Sequence, residues 1–410
     1  MLTVAALLFA GMTETAIPAR AFVDSVGVNL HLHYNGTAYY DDFPAIERLL
    51  SAAHIRHVRD GLIDTTWQPY YDRLSELGSS GIHSTLVTNV KESLPTIVRY
   101  AKRIPASLEA IEAPNEYDRS GDPGWAATLV PFVKALYAGL KGDPATARLS
   151  VIGPSLTSAA AFGAVGDLSA SLDSGNVHDY FGGFNPGTSG YGGAGFGSHY
   201  GSIEYNRNVA AQASRSRPIV STETGYGTAA ATHANVSEEV QGKYVPRLLL
   251  EHYLHGIQRT FVYQLVDEGT DGFGAYGLLH TTLAPKPAFR AVSALLNLLD
   301  APGAERRDAL RYEIADVPNL AHALFEKPDG TFALAYWLET ASWDVNAPNG
   351  GAPIPVPPQR VTLHFAKRMD GVMVYQARPN GSLVGLPKAS ANELELEATD
   401  AVNVVCFRPT

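Results

Sequence analysis

Two glutamates stand in matching surroundings. Glu116 lies in Ile-Glu-Ala-Pro-Asn-Glu-Tyr (111–117) and Glu223 in Pro-Ile-Val-Ser-Thr-Glu-Thr-Gly (218–225). Each follows a short apolar, β-rich run and precedes turn-forming residues. Each is therefore expected at the C-terminal end of a buried strand, where a parallel barrel keeps its reactive groups. Two carboxylates that converge on one pocket from separate strand ends have the chemistry to cleave a glycosidic bond: one protonates the leaving oxygen while the other attacks or activates water. The acid must hold its proton near neutral pH, which a second, ionised carboxylate in the same pocket favours. With Glu116 taken as the acid, Glu223 is its ionised partner, with hydrogen bonds from Arg59 or Tyr180 to orient it.

The elements that must position this pair are legible as an alternation. Candidate strands run over 25–30, 55–59, 83–88, 108–113, 149–153, 176–180, 218–222 and 259–265. Between them, 43–53, 67–77, 94–102, 131–140 and 238–255 carry apolar residues near i, i+3, i+4 and i+7, the period of amphipathic helices. Eight strand-helix alternations fit a closed (β/α)8 TIM barrel over residues 22–300 better than a doubly wound sheet. No Gly-x-Gly-x-x-Gly follows the first strand, and the glycine-rich stretch 191–197 reads as a loop at the rim. After about residue 301 the runs become short and alternating, with turns such as Pro328-Asp329-Gly330 and Pro379-Asn380-Gly381 between them. Residues 301–410 are accordingly expected to form a small antiparallel β-sandwich, whose first strand could come from before the barrel.

Composition narrows the partners. The chain has 410 residues, 45% of them apolar, and a formal charge of -10. It lacks the basic stripe that a phosphate backbone demands, so neither nucleic acid nor an anionic membrane is an expected partner. A lone cysteine, Cys406, can make neither an internal disulfide nor a thiolate metal cluster. The apolar run 3–11, with Ala19-Arg20-Ala21 after it, reads as a secretory leader over residues 1–21 and hence a secreted or periplasmic protein; a frayed arm on a cytoplasmic protein is the alternative. No later apolar stretch reaches the length needed to span a bilayer.

Asn115-Glu116 closing one strand and Thr222-Glu223-Thr224-Gly225 closing another three strands later resemble the paired motifs of glycoside hydrolase clan A, the retaining barrel enzymes. With its appended β-domain the layout is most similar to family 39, with families 5 and 30 as near alternatives. The resemblance covers residues 22–300. It implies an acid/base at Glu116 on strand four, a nucleophile at Glu223 on strand seven, and double displacement on a β-linked oligo- or polysaccharide without a cofactor. It further implies that Asn115 bonds the sugar 2-hydroxyl and that Arg59, His178 and Tyr180 serve the nucleophile. The clan often places a Trp on strand eight; here Phe261-Val-Tyr-Gln-Leu265 offers Tyr263 or Gln264 instead.

Plainer readings compete with each assignment. Arg59 is followed by Asp60 and could form only a local ion pair. His31 and His33, two apart after the first strand, lack a third metal ligand at a recognisable spacing and read better as sugar-contacting or hydrogen-bonded histidines. Asp267 and Glu268 form a second acidic pair after strand eight and are the reserve acid/base candidates. Trp67, Tyr180 and Tyr263 are among the rings that could floor a sugar site, since the apolar face of a pyranose packs on a flat π surface. Two rival classes stay open: a non-catalytic carbohydrate-binding barrel, and a metal-dependent barrel hydrolase built on Asp267, Glu268 and the histidines.

Overall fold

The computed structural model describes residues 11–192, 199–229 and 235–410. Eight parallel strands form one sheet in the order of a barrel: Val26–Asn29, His57–Gly61, His83–Val87, Leu108–Glu112, Ser150–Ile152, Gly175–His178, Ile219–Thr224 and Ile257–Val262. The eighth pairs with the first. Closure between the fifth and sixth rests on a single bridge, Ile152 to Ser174, with a hydrogen bond from the Gly153 N–H to the Ser174 carbonyl and bonds from the Asp173 and Ser174 N–H groups to the Val151 carbonyl. All eight expected strands are present, and the helices alternate with them as the 3.6-residue period requires. One helix is longer than its sequence suggests. Pro131, expected to begin it, lies inside Trp125–Gly142. Proline forfeits one backbone bond there, while Leu129, Val133, Leu136 and Leu140 still bury one continuous face.

The barrel interior is stacked in layers along the strands. Ala110, Ile152, Val220 and Phe261 form an apolar plug. Gly27 makes room for it: a Cβ there would lie 2.5 Å from the Phe261 ring. Two residues further along their strands, the inward positions turn polar: Asn29, Arg59, Glu112, Asn176 and Thr222, all buried. The period-2 alternation of a strand thus leads from plug to polar layer to mouth.

The β-domain is a nine-stranded, mostly antiparallel sheet. Gln359–Ala377 is one long strand with register shifts, and its two halves pair with different partners, Ala391–Ala398 along the first and Leu383–Pro387 along the second. The sheet thereby encloses its own core of Leu310, Tyr312, Leu334, Val361, Leu396 and Val405. Phe332–Leu338 is buried on both faces. Phe332, Leu334, Tyr336 and Leu338 point into the β-domain, whereas Ala333, Ala335 and Trp337 join the barrel core. The two domains therefore share a strand-wide apolar contact.

The N-terminal boundary differs from the expected one. Met12–Thr15 pairs with Ala309–Ile314, and Ile17–Pro18 pairs with Leu320–Glu326, so both strands belong to the β-domain sheet. A cut after Ala21 would fall inside the helix Ala19–Val23, whose Ala19, Phe22 and Val23 are buried. The apolar run 3–11 lies outside the described residues except for Gly11, as does most of the glycine-rich stretch 191–197. Among the described residues no helix is long and apolar enough to cross a membrane.

Candidate active site

Arg59 is the hub of the polar layer. Its Nε and Nη2 donate to the two oxygens of Glu112 at 2.6 and 2.9 Å. Nη1 donates to Asn29 at 2.9 Å and to Glu223 at 2.7 Å, and Nη2 reaches Asn115 at 2.7 Å. The alternative of a local pair with Asp60 is not what forms: Asp60 accepts instead from the Leu32 and Gly61 backbone N–H groups. Glu112, which sequence reasoning left without a role, is wholly buried and also accepts from Asn176 at 3.1 Å and Thr222 at 3.0 Å. A buried carboxylate needs such saturation, because an uncompensated charge in the barrel would be expensive.

Glu223 emerges where the seventh strand carries an irregularity. The register with its neighbours shifts between Val177 and His178 on one side and between Thr260 and Val262 on the other. An extra residue re-aims a side chain, so Thr222 serves the polar layer while Glu223 serves the mouth. The Tyr180 hydroxyl donates to Glu223 at 3.1 Å, and His178 Nδ1 stands 3.6 Å from it. Burial alone would raise the Glu223 pKa, but the charges of His178 and Arg59 and the hydrogen bonds from Arg59 and Tyr180 outweigh it and hold the carboxyl below its ordinary value. Glu223 is held ionised.

Glu116 follows Asn115 in a tight left-handed turn, φ +40°, a conformation that non-glycine residues adopt at a cost. Its N–H donates to Ser155 at 3.2 Å, and its carboxylate bonds His178 Nδ1 at 2.9 Å. The other ring nitrogen of His178 meets Thr222 at 3.0 Å. Burial would lower the His178 pKa; the Glu223 charge and the Glu116 hydrogen bond raise it. One carboxylate oxygen each from Glu116 and Glu223, and one His178 nitrogen, lie within 4.8 Å of one another.

Outside this core a cleft of about 340 Å³ opens, lined by His31, His33, Tyr34, Arg59, Asp60, Asn89, Glu92, Asn115, Tyr117 and Glu223 among others. His31 pairs with Glu268 and stacks on Tyr34 at 4.4 Å. From His31 a line of edge-on rings crosses the mouth: Tyr263 at 5.7 Å, Tyr276 at 6.0 Å from Tyr263, and Tyr180 at 5.8 Å from Tyr276. Trp67 is a correction to the sequence reading. It is not among the residues lining the cleft, but stacks on Tyr40 at 4.5 Å beneath the Arg73 guanidinium. Tyr34 and Tyr276 join Tyr263 and Tyr180 at the mouth, and no local pattern distinguishes these two from other tyrosines.

The reserve acid pair is otherwise engaged. Asp267 is held by Lys286 at 2.7 Å and by the Gly277 N–H at 2.7 Å. An ammonium that close disfavours a metal cation, and His31 and His33 are turned to Glu268 and Asp60 rather than to a common point. Glu116, His178 and Glu223 are the set among the described residues whose atoms could hold a metal ion. The Arg59 guanidinium and the Tyr180 hydroxyl already donate to the oxygens of Glu223, and a guanidinium that close disfavours a second cation there.

No protein-family model and no curated protein matches the sequence. Solved structures do. A family 39 glycoside hydrolase from the gut symbiont Bacteroides cellulosilyticus WH2 aligns over 96% of this chain and 82% of its own, with 16% identity and a TM-score of 0.68. The endo-β1,6-glucanase BT3312 aligns over 99% of this chain and 96% of its own, with 12% identity and a TM-score of 0.56. The chain is therefore similar, over both of its domains, to the fold on which a family 39 glycoside hydrolase is built.

Proposed function

We propose that this protein is a retaining glycoside hydrolase acting on β-linked sugars by double displacement, with Glu223 as nucleophile and Glu116 as acid/base. The observation that carries the reading is the approach of the two carboxylates, whose nearest oxygens are within 4.8 Å. Between whole carboxyl groups, inverting pairs stand about 6.5–9.5 Å apart to admit a water and retaining pairs about 5–5.5 Å; an approach of nearest oxygens this close favours the shorter class. The electrostatics agree at Glu223, which Arg59 and Tyr180 stabilise as an anion. Asn115 spends its carbonyl on Arg59, leaving its amide for a sugar hydroxyl. The partner is an oligo- or polysaccharide, and the chemistry calls for no cofactor.

The cleft favours a neutral glycone. Arg59 is saturated by Glu112, Glu223, Asn115 and Asn29, and Asp60 adds negative charge, joined by Glu92 only above neutral pH. Burial, with Asp64 nearby, pushes the Glu92 carboxyl up to about 7. A sugar carboxylate would meet repulsion there. A 2-deoxy-2-fluoro β-glycoside with a good leaving group tests the mechanism: the expected result is a covalent adduct on the peptide holding Glu223 and a first product of β configuration. A first product of α configuration refutes retention.

A further inference from the structure

Glu339 stands one residue beyond the β-domain strand Phe332–Leu338, yet its carboxylate grips the barrel. Oε1 accepts from the Asn185 amide at 2.7 Å and from the Gly187 N–H at 2.9 Å, both in the segment that follows the sixth barrel strand. Arg247, a fully buried residue of the helix Glu238–Leu254, donates to the same carboxylate at 2.6 and 2.9 Å. The Trp337 indole adds a further bond at 2.8 Å. Burial would raise the Glu339 pKa; Arg247, Asn185 and Gly187 outweigh it and keep the group ionised. Gly187 is fitted to this contact, since a Cβ there would lie 2.4 Å from the Glu339 Cγ.

The gripped segment also carries a site residue. Tyr180, which donates to Glu223, lies five residues before Asn185. Between them Phe181 is buried, and the Phe184 carbonyl accepts from Tyr226, three residues after Glu223, at 2.8 Å. Residues 180–187 are thus fastened to the nucleophile's own loop at one point and to the β-domain at another.

We propose that Glu339 is a positioning residue: by pinning Asn185 and Gly187 it fixes the loop that bears Tyr180, and through the Tyr180 hydroxyl it sets the pose and charge of Glu223. The β-domain is then a working part of the catalytic unit rather than an appended module. This rests on the reading of Glu223 as nucleophile. A purely structural role for Glu339, as counter-ion to Arg247, makes different predictions.

Asn185→Ala separates the two, because it cuts the loop-side bond and leaves the Arg247 pair intact. Its amides at 182–188 are expected to exchange hydrogen faster. The kcat on an activated aryl β-glycoside should fall about tenfold, and the acid limb of kcat/KM should move to higher pH as the bond from Tyr180 to Glu223 loosens. In a Tyr180→Phe background the same substitution should leave the acid limb where it is. Full additivity of the two changes, or an unmoved acid limb, overturns the proposal. If the wild-type protein hydrolyses no glycoside, the functional reading is what has failed. The exchange measurement still decides the loop contact: unchanged protection of 182–188 in both Asn185→Ala and Glu339→Gln overturns it.

Discussion

Replacing Arg59 by Met removes the guanidinium from which the whole polar layer is organised. Glu112 loses two hydrogen bonds, of 2.6 and 2.9 Å, and keeps only Asn176 and Thr222 as donors. It is wholly buried, and stranding a buried charge costs about 3–5 kcal/mol. Against a total stability of about 5–15 kcal/mol for a folded domain, that is a large fraction. The single variant should therefore unfold at a markedly lower urea concentration and lose activity. Adding Glu112→Gln removes the stranded charge while leaving an oxygen for Asn176 and Thr222. The double variant should recover at least about 2 kcal/mol relative to the single one, a non-additivity expected of direct partners. Activity should not return with it, because Glu223 and Asn115 still lack their donor. Urea midpoints and kcat/KM on an aryl β-glycoside read the two outcomes separately. A cost below about 1 kcal/mol for Arg59→Met would contradict the burial argument. Full activity in the double variant would show that Arg59 does not orient the nucleophile.

Glu223→Ala is expected to abolish turnover, whereas Glu116→Ala should cost about 10²–10⁴-fold on poor leaving groups and far less on activated aryl glycosides; equal losses on both substrates would count against an acid role. Because the folded-state pKa of Glu223 lies below the unfolded carboxyl value of about 4.3, its contribution to stability is present above that pH and is lost as the pH falls through the folded value. Tyr180→Phe should narrow that window, and unfolding midpoints measured from acid to neutral pH would show it. His178 runs the other way: its pKa is raised, so its contribution is complete below about 6.5 and fades as the pH climbs through the folded value. Glu116→Gln should weaken that fading, which a scan of stability around neutrality reads. Finally, Glu92→Lys should raise kcat/KM for a β-uronoside relative to the matching neutral glycoside. An unchanged ratio would place Glu92 outside the glycone site.

Much of the candidate site was legible because its signals are local. Asn115-Glu116 and Thr222-Glu223 sit at strand ends, and strand ends can be read from apolar runs that stop at turn residues. Arg59 and Tyr180 stand at strand ends found by the same count, while the part given to His178 came from the resemblance to clan A. Glu112 was not legible, since its partner Arg59 lies 53 positions away and only barrel closure brings the two together. Trp67 went the other way: an aromatic residue after the second strand has the right type and position, but Tyr40 and Arg73 offer it a closer contact than the cleft does.

The N-terminal strands illustrate the same division. Their few residues carry no pattern distinct from a leader, and only the exposed edges of Ala309–Ile314 and Leu320–Glu326 make strands of them. Periodicity, turn chemistry and the acidic pair determined that this chain forms a parallel barrel with carboxylates at its mouth. Those features depend on neighbours along the chain, which a sequence displays directly. Which oxygen faces which, how Arg59 divides its donors and how Glu339 reaches the sixth-strand loop were decided by closure of the barrel and docking of the β-domain. Such contacts join residues far apart in the chain, and their energies exist only once the intervening elements have packed.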